Sequence, residues 1–291
     1  MKKEIKDYGQ SVRNRLLTIS RQNGIPYMTI LIRYIQERLL YRLSQSNFRE
    51  NFFLKGGALL YAYNQEKSRP TMDIDFLGAR INNDSDYIKS VFTVITSIPC
   101  VEDGILFNAE TIEIEEITKD NEYHGLRLSI VASLDTIRQR VSMDIGFGDI
   151  VTPGPQTLDY PLLLESVPQV SILAYSLETV VAEKFEAMVS LSVNNSRMKD
   201  FFDVYLILNS GNVDYDVLPE AIINTFKNRN AQFIDNHPLF STDFYSDPNR
   251  IMRWNGFLKS IKWDNYIAFE TVGEVIIKQL SRYWISMKSF F

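Results

Sequence analysis

The stretch LKGGALLYAYNQEKSRPTMDIDFLG, running from Leu54 to Gly78, constrains this chain more than any other. The pair Gly56–Gly57 opens an apolar run, ALLYAYNQ, that reads as a short helix, and TMDIDFLG then alternates as a strand should. Glycines at that point let the backbone come close to a ligand. The helix they open turns its free N–H groups and positive dipole end toward the turn, which suits phosphate, and Lys55 adds a cation beside it. On the strand, a period of two sets Asp73 and Asp75 on one face and Met72, Ile74 and Phe76 on the other. Two carboxylates that close repel one another unless a cation lies between them. Mg²⁺ is commonly held by one or two carboxylates together with substrate phosphates. The plain alternative is a strand edge with two exposed aspartates.

A third carboxylate is available in Asp144, at an inward-type position of VSMDIGFG; Glu113 and Glu115 of TIEIEEI and Asp149 are weaker candidates. Around this centre, residues 10–23 and 26–46 read as helices. The second carries Met28, Leu31, Ile32, Ile35, Leu39, Leu40 and Leu43 at helical spacing, with Arg33, Arg38 and Arg42 on its other side. Those arginines form either a phosphate-facing stripe or a solvated face. Residues 86–97 look helical. TIEIEEI, GLRLSIVASL and RVSMDIGFG read as strands, VTPGPQTLDYP as a Pro/Gly-rich crossing, and the chain beyond Ser176 as mostly helical. The expected domains are 1–160, N-terminal helices plus a small α/β core, and 161–291, a helical C-terminal domain.

Charge is uneven along the chain. Residues 1–60 hold 11 Lys/Arg against 4 Asp/Glu, residues 61–160 hold 8 against 17, and residues 161–291 hold 12 against 15. A basic arm beside an acidic middle suits a protein that grips a polyanion in one place and metal ions in another; uneven surface charge alone gives the same counts. The one cysteine, Cys100, excludes an internal disulfide, and with only two histidines a His/Cys zinc site is not expected. His124 reads as a turn residue, His237 as a loop residue and Cys100 as a small apolar filler. Without an apolar leader or a membrane-length apolar run, the expected location is the cytoplasm.

The C-terminal half holds a second anomaly. In YSLETVVAEKFEAMVSL, Ser176 is placed to cap a helix whose apolar stripe is Leu177, Val181, Met188 and Leu191, and Lys184 falls inside that stripe. Lysine is rarely buried unless paired. The next helix, SRMKDFFDVYLIL, presents Asp200 and Asp203 three apart, and Asp203 is the natural partner for a buried cation. A cleft-directed lysine and a structural Lys–Asp bridge are both compatible with this pattern.

Taken in order, LKGGALLYAYNQEKSRPTMDIDFLG, MDIGFGDIVTPGP, DYPLLLES and AYSLETVVAEKFEAMVSLSVNNSRMKDFFDVYLI resemble the AbiEii/AbiGii toxin family. These are nucleotidyltransferases of the DNA-polymerase-β-like superfamily that include the MenT toxins. The resemblance runs from about Arg33 to Leu208. It implies an α+β fold, with a polymerase-β-like nucleotidyltransferase core on a small mixed sheet, N-terminal helices and a helical C-terminal domain. By the same resemblance Asp73 and Asp75 match the metal-binding pair, with Asp144 placed as the third carboxylate. Lys184 and Asp203 match the lysine and aspartate of later catalytic motifs. Gly56, Gly57, Arg69, Thr71, Arg197 and Lys199 match positions that touch nucleotide or pair with site carboxylates. Gly57 stands where the superfamily has serine, which removes a hydroxyl contact to phosphate. The implied activity is transfer of a nucleotide from an NTP, with Mg²⁺ or Mn²⁺, to an RNA acceptor such as the tRNA 3′ end. The implied protein partner is a cognate antitoxin. A nucleotide-binding regulatory module without transfer, and a nucleotidyltransferase acting on small molecules, are the alternatives.

Overall fold

Between residues 52 and 174 the β-branched and aromatic runs pair into one mixed sheet. Its strands are β1 (Phe52–Lys55), β2 (Asp73–Gly78), β3 (Ile105–Lys119), β4 (Tyr123–Leu134), β5 (Ile137–Phe147), β6 (Gln156–Tyr160) and β7 (Val170–Ala174). The computed structural model describes residues 7–65, 68–119 and 123–288. The strand order is β3-β4-β5-β2-β1-β7-β6. β2 runs parallel to β5 and antiparallel to β1, and β1 runs parallel to β7. The glycine turn leads from β1 into a short helix, α3 (Gly56–Asn64), preceded by α1 (Tyr8–Asn23) and α2 (Tyr27–Ser44) and followed by α4 (Ser85–Ser97). The fold class is α+β, as the sequence predicts.

Several features differ from expectation, among them the strand β7 (Val170–Ala174), which the local pattern does not mark. β1 is four residues long and buried along most of its length, so it has no alternation to betray it. Gln156–Tyr160, read as part of a crossing, is the edge strand β6, paired to β7. His124 lies within β4 rather than in a turn, because the β3–β4 hairpin extends to the Lys119–Tyr123 pair.

Arg38 and Arg42 of α2 do not face a nucleic-acid path. Arg38 and Arg42 are 0% and 2% exposed, since α1, α4, β5 and β7 pack around α2 on several sides. Arg42 holds Asp103 through Nη1 at 2.6 Å and Nη2 at 3.3 Å, and donates to the Ile105 carbonyl at 2.9 Å. Arg38 lies 2.8 Å from the Glu37 carboxylate and donates to the Pro168 carbonyl at 3.0 Å. Arg33, half-buried, lies over the Tyr61 ring. Charges taken out of water must be paired, and these pairs hold the charges of Arg38 and Arg42 inside the protein.

The chain divides into two compact units. The first comprises 1–148 and 156–174, and the second 149–155 and 175–291. Within the second, α5 (Leu177–Leu191), α6 (Met198–Asn209), α7 (Leu218–Asn228), α8 (Thr242–Ser246), α9 (Pro248–Ser260) and α10 (Phe269–Met287) enclose an aromatic core. Phe185, Phe226, Phe233 and Phe240 surround Trp284, and Phe202 meets Trp254 and Trp263. The C-terminal aromatics Tyr283 and Trp284 are therefore core residues. Buried His237 joins them, its Nε2 against the Val189 carbonyl at 3.1 Å. Among the described residues no helix is long and apolar enough to cross a membrane.

Replacing one member of a buried ion pair strands the other, at a cost of about 3–5 kcal/mol. Arg42→Gln is therefore expected to lower the unfolding free energy by that amount in urea titrations. An unchanged midpoint would mean that Asp103 does not depend on Arg42.

Candidate active site

Register across the sheet builds the site. Lys55 on β1 pairs with Asp75 on β2, Asp75 with Asp144 on β5, Asp144 with Arg127 on β4, and Arg127 with Glu115 on β3. Residues in register on neighbouring strands share a face and lie about 5 Å apart. Five ionisable side chains thus form one row, with signs plus, minus, minus, plus, minus from Lys55 to Glu115. Asp73 shares their face two residues before Asp75, in register with Ser142. Ile74 and Phe76, on the opposite face, are buried in the core.

The carboxylates of this row have different partners. Asp144, 7% exposed, accepts both guanidinium bonds of Arg127, from Nε at 2.8 Å and Nη2 at 2.9 Å. The hydrogen bond and charge of Asp144 raise the Arg127 pKa above its ordinary value, and the charges of Asp73 and Glu115 add to the effect. Half-buried Asp75, in contrast, has no hydrogen-bond or ion-pair partner among the described residues.

Gly56 and Gly57 are required here for reasons of space. Gly56 has φ +68°, and a Cβ there would lie 1.9 Å from Asp75 Oδ2. A Cβ at Gly57 would lie 2.7 Å from Cβ and from Oγ1 of Thr71. Any side chain at position 57, serine included, thus meets Thr71, whose hydroxyl donates to the Asp73 carbonyl at 3.1 Å. Lys55, in extended conformation, precedes α3 without a side-chain cap on its first turn. Gly57, Thr71 and Asp73 thus meet where the N-terminus of α3 adjoins β2, and Arg69 lies half-buried in the segment leading into that strand.

In the second unit, Lys184 on α5 reaches Asp200 and Asp203 on α6, each at 2.8 Å. All three are largely buried, with side chains 12%, 0% and 2% exposed. Arg197 Nε lies 2.7 Å from Asp200 Oδ2, although that oxygen has no aligned hydrogen bond. Burial pushes the Asp200 pKa up, but Lys184 and then Arg197 outweigh it, so the carboxylate titrates below its ordinary 3.8. Its contribution to stability is complete above about that pH and is lost as the pH falls through the lowered value. The geometry is that of an interhelical bridge in which Asp200 shares the lysine with the expected Asp203. Exposed Arg197 and Lys199 line a shallow cleft with Ser196, Met198, Arg253 and Phe257.

Oxygen donors on one face fit a hard cation such as Mg²⁺ at Asp73 and Asp75, with phosphate oxygens completing the shell. Among the described residues no group of three Asp, Glu, His or Cys side chains is gathered for a metal, and Asp144 has both oxygens on Arg127. Sequence reasoning missed Arg127. Its alternating position in GLRLSIVASL set it on one face of a strand, but nothing local showed which residue it would face.

Two substitutions test this packing. Gly57→Ala is expected to lower the melting temperature by several degrees, and Thr71→Gly in the same chain to recover part of the loss; a neutral Gly57→Ala would refute the close approach. Lys184→Met removes the cation shared by two buried carboxylates and is expected to cost about 3–5 kcal/mol. Adding Asp203→Asn is expected to make the loss smaller, as measured by urea unfolding.

Residues 38–270 match the model of the family described as nucleotidyl transferase AbiEii toxin, type IV TA system. No curated protein matches the sequence. Two crystal structures align with it. JHP933 from Helicobacter pylori is 16% identical, with 88% of this chain and 94% of that one covered at a TM-score of 0.46. A proposed nucleotidyltransferase from H. pylori is also 16% identical, with 87% and 94% covered at a TM-score of 0.44. With more than half its length matched by the family model, this chain belongs to the AbiEii family of nucleotidyltransferase toxins from type IV toxin–antitoxin systems.

Proposed function

We propose that this protein transfers a nucleotide from an NTP to an RNA acceptor, with the tRNA 3′ end as the favoured target, and that Mg²⁺ or Mn²⁺ assists. The observation that carries this reading is that Asp73 and Asp75 share one face, Asp75 without a partner among the described residues and close against Gly56 at the N-terminus of α3. Asp73 and Asp75 would hold the metal, which when bound supplies Lewis acidity at phosphate oxygens. Lys55 and the uncapped first turn of α3 receive the triphosphate, and Gly56 and Gly57 give it room. Arg69 and Thr71 stand beside it as nucleotide contacts. The acceptor hydroxyl oxygen bonds to the α-phosphorus, the bond to pyrophosphate breaks, and the hydroxyl proton passes to water.

In the second unit we assign Lys184 and Asp203 to positioning, since the lysine is held by two carboxylates. The burial of Arg38 and Arg42 moves the RNA grip elsewhere. The cleft of Arg197, Lys199 and Arg253 favours an acceptor strand there, with phosphates on its cations and Phe257 in its wall. Arg253 makes no ion pair or hydrogen bond among the described residues. Family membership implies an antitoxin partner, which we take to be a cognate protein, and the cytoplasm is the proposed location.

The test incubates the purified protein with each labelled NTP, Mg²⁺ and total bacterial RNA. Label is expected in one RNA size class and is expected to disappear in Asp73→Asn and in Asp75→Asn, both still folded. Wild-type transfer by both variants would overturn the site. Label on no RNA would favour a binding module or a small acceptor. Arg253→Gln is expected to reduce the log–log salt slope of RNA binding by about 0.7, the contribution of one single-strand phosphate contact. An identical slope would remove this cleft from the RNA site.

A further inference from the structure

We propose that Arg127 is a lock on Asp144, holding the third carboxylate of the row away from Asp73 and Asp75 until a triphosphate draws the guanidinium off. The proposal rests on the metal reading of Asp73 and Asp75. Asp144 is in register with Asp75 on a parallel neighbour and therefore shares its face. Both its oxygens nevertheless point to the other neighbour, where Arg127 binds them in two bonds of 2.8 and 2.9 Å. A carboxylate whose two oxygens face Arg127 is turned away from its other neighbour, and among the described residues Asp73, Asp75 and Asp144 do not form a three-carboxylate cluster.

The two partners differ in exposure. The Arg127 side chain is 45% exposed and that of Asp144 10%, so the arginine is open to an incoming anion while the aspartate stays fixed in the sheet. A guanidinium pairs with phosphate in the same two-pronged geometry as with carboxylate. A triphosphate seated against the row offers Arg127 an alternative partner. Asp144, once released, then lies one strand from Asp75, where a divalent cation offsets their repulsion. The lock also explains why three carboxylates can coexist on one face without nucleotide: Arg127 neutralises one of them. A merely structural cross-strand pair would stabilise the sheet without influencing cation binding.

The experiment measures Mn²⁺ binding to the full chain without nucleotide, from the electron paramagnetic resonance signal of free Mn²⁺. Arg127→Met is expected to bind Mn²⁺ at least about tenfold more tightly than wild type, because it frees a third carboxylate ligand. Arg127→Met with Asp144→Asn is expected to lose that gain. Equal or weaker binding by Arg127→Met, or a gain that survives in the double variant, would overturn the lock. If Arg127→Met fails to fold, Asp144→Asn in the wild-type background decides. A locked Asp144 contributes no ligand, so its loss should not weaken Mn²⁺ binding by its own coordination, and exposure of Arg127 should cost less than threefold. A tenfold loss would mean that Asp144 already ligates, and would overturn the proposal. Asp73→Asn separates the two readings: if it leaves Mn²⁺ binding intact, the metal assignment fails, whatever Arg127 does.

Discussion

The register of β2 between β1 and β5 is the constraint on which the rest of the site depends. Because side chains alternate faces with period two, a slip of one residue would turn Asp73 and Asp75 into the core and bring Ile74 and Phe76 out. Full burial of Ile74 and near-complete burial of Phe76 oppose that slip. The same register aligns Lys55, Asp75, Asp144, Arg127 and Glu115 across five strands. The apolar face of the strand therefore holds the polar face in place, and the site's electrostatics follow from hydrophobic burial on the opposite side.

Buried charge is used differently in the two units. In the first, α2 carries Glu37, Arg38 and Arg42 into the interior, where Arg42 donates to Asp103 and the Ile105 carbonyl, Arg38 donates to the Pro168 carbonyl and lies beside Glu37, and Glu37 accepts from the Leu163 N–H. These bonds tie the helix to segments distant in sequence and specify how it seats, rather than offering positive charge to a polyanion. In the second, Lys184 binds α5 to α6 through two carboxylates. Such pairs are weak evidence for net stability, because desolvation offsets the attraction, but losing one member is costly. Both networks therefore favour one arrangement of their helices over others.

Glycine at position 57 illustrates how a departure from an expected motif can be structural. The family resemblance leads one to expect serine at this turn, and glycine stands there. The packing gives the reason: Thr71 already occupies the space where any side chain would begin, and its hydroxyl is bonded to the strand that carries Asp73.

Local pattern in the sequence was enough to locate α1 through α5, the strands β2 to β5, the Asp73/Asp75 face and the unusual lysine, because periodicity and turn chemistry are written in neighbouring residues; the α+β class came from the family resemblance. Local pattern could not reveal β1, β6 or β7, which are too short to show alternation. The inward fate of Arg38 and Arg42 was equally hidden, since a basic stripe looks the same whether it faces water or buried carboxylates sixty or more residues away, as Asp103 is from Arg42. Arg127 was invisible as part of the site for a related reason. Its partner Asp144 lies seventeen residues along the chain, and only the pairing of β4 with β5 decides that the two meet. Sequence determined which residues share a face within each strand; tertiary structure decided which faces meet, because strand register is set by long-range pairing and burial.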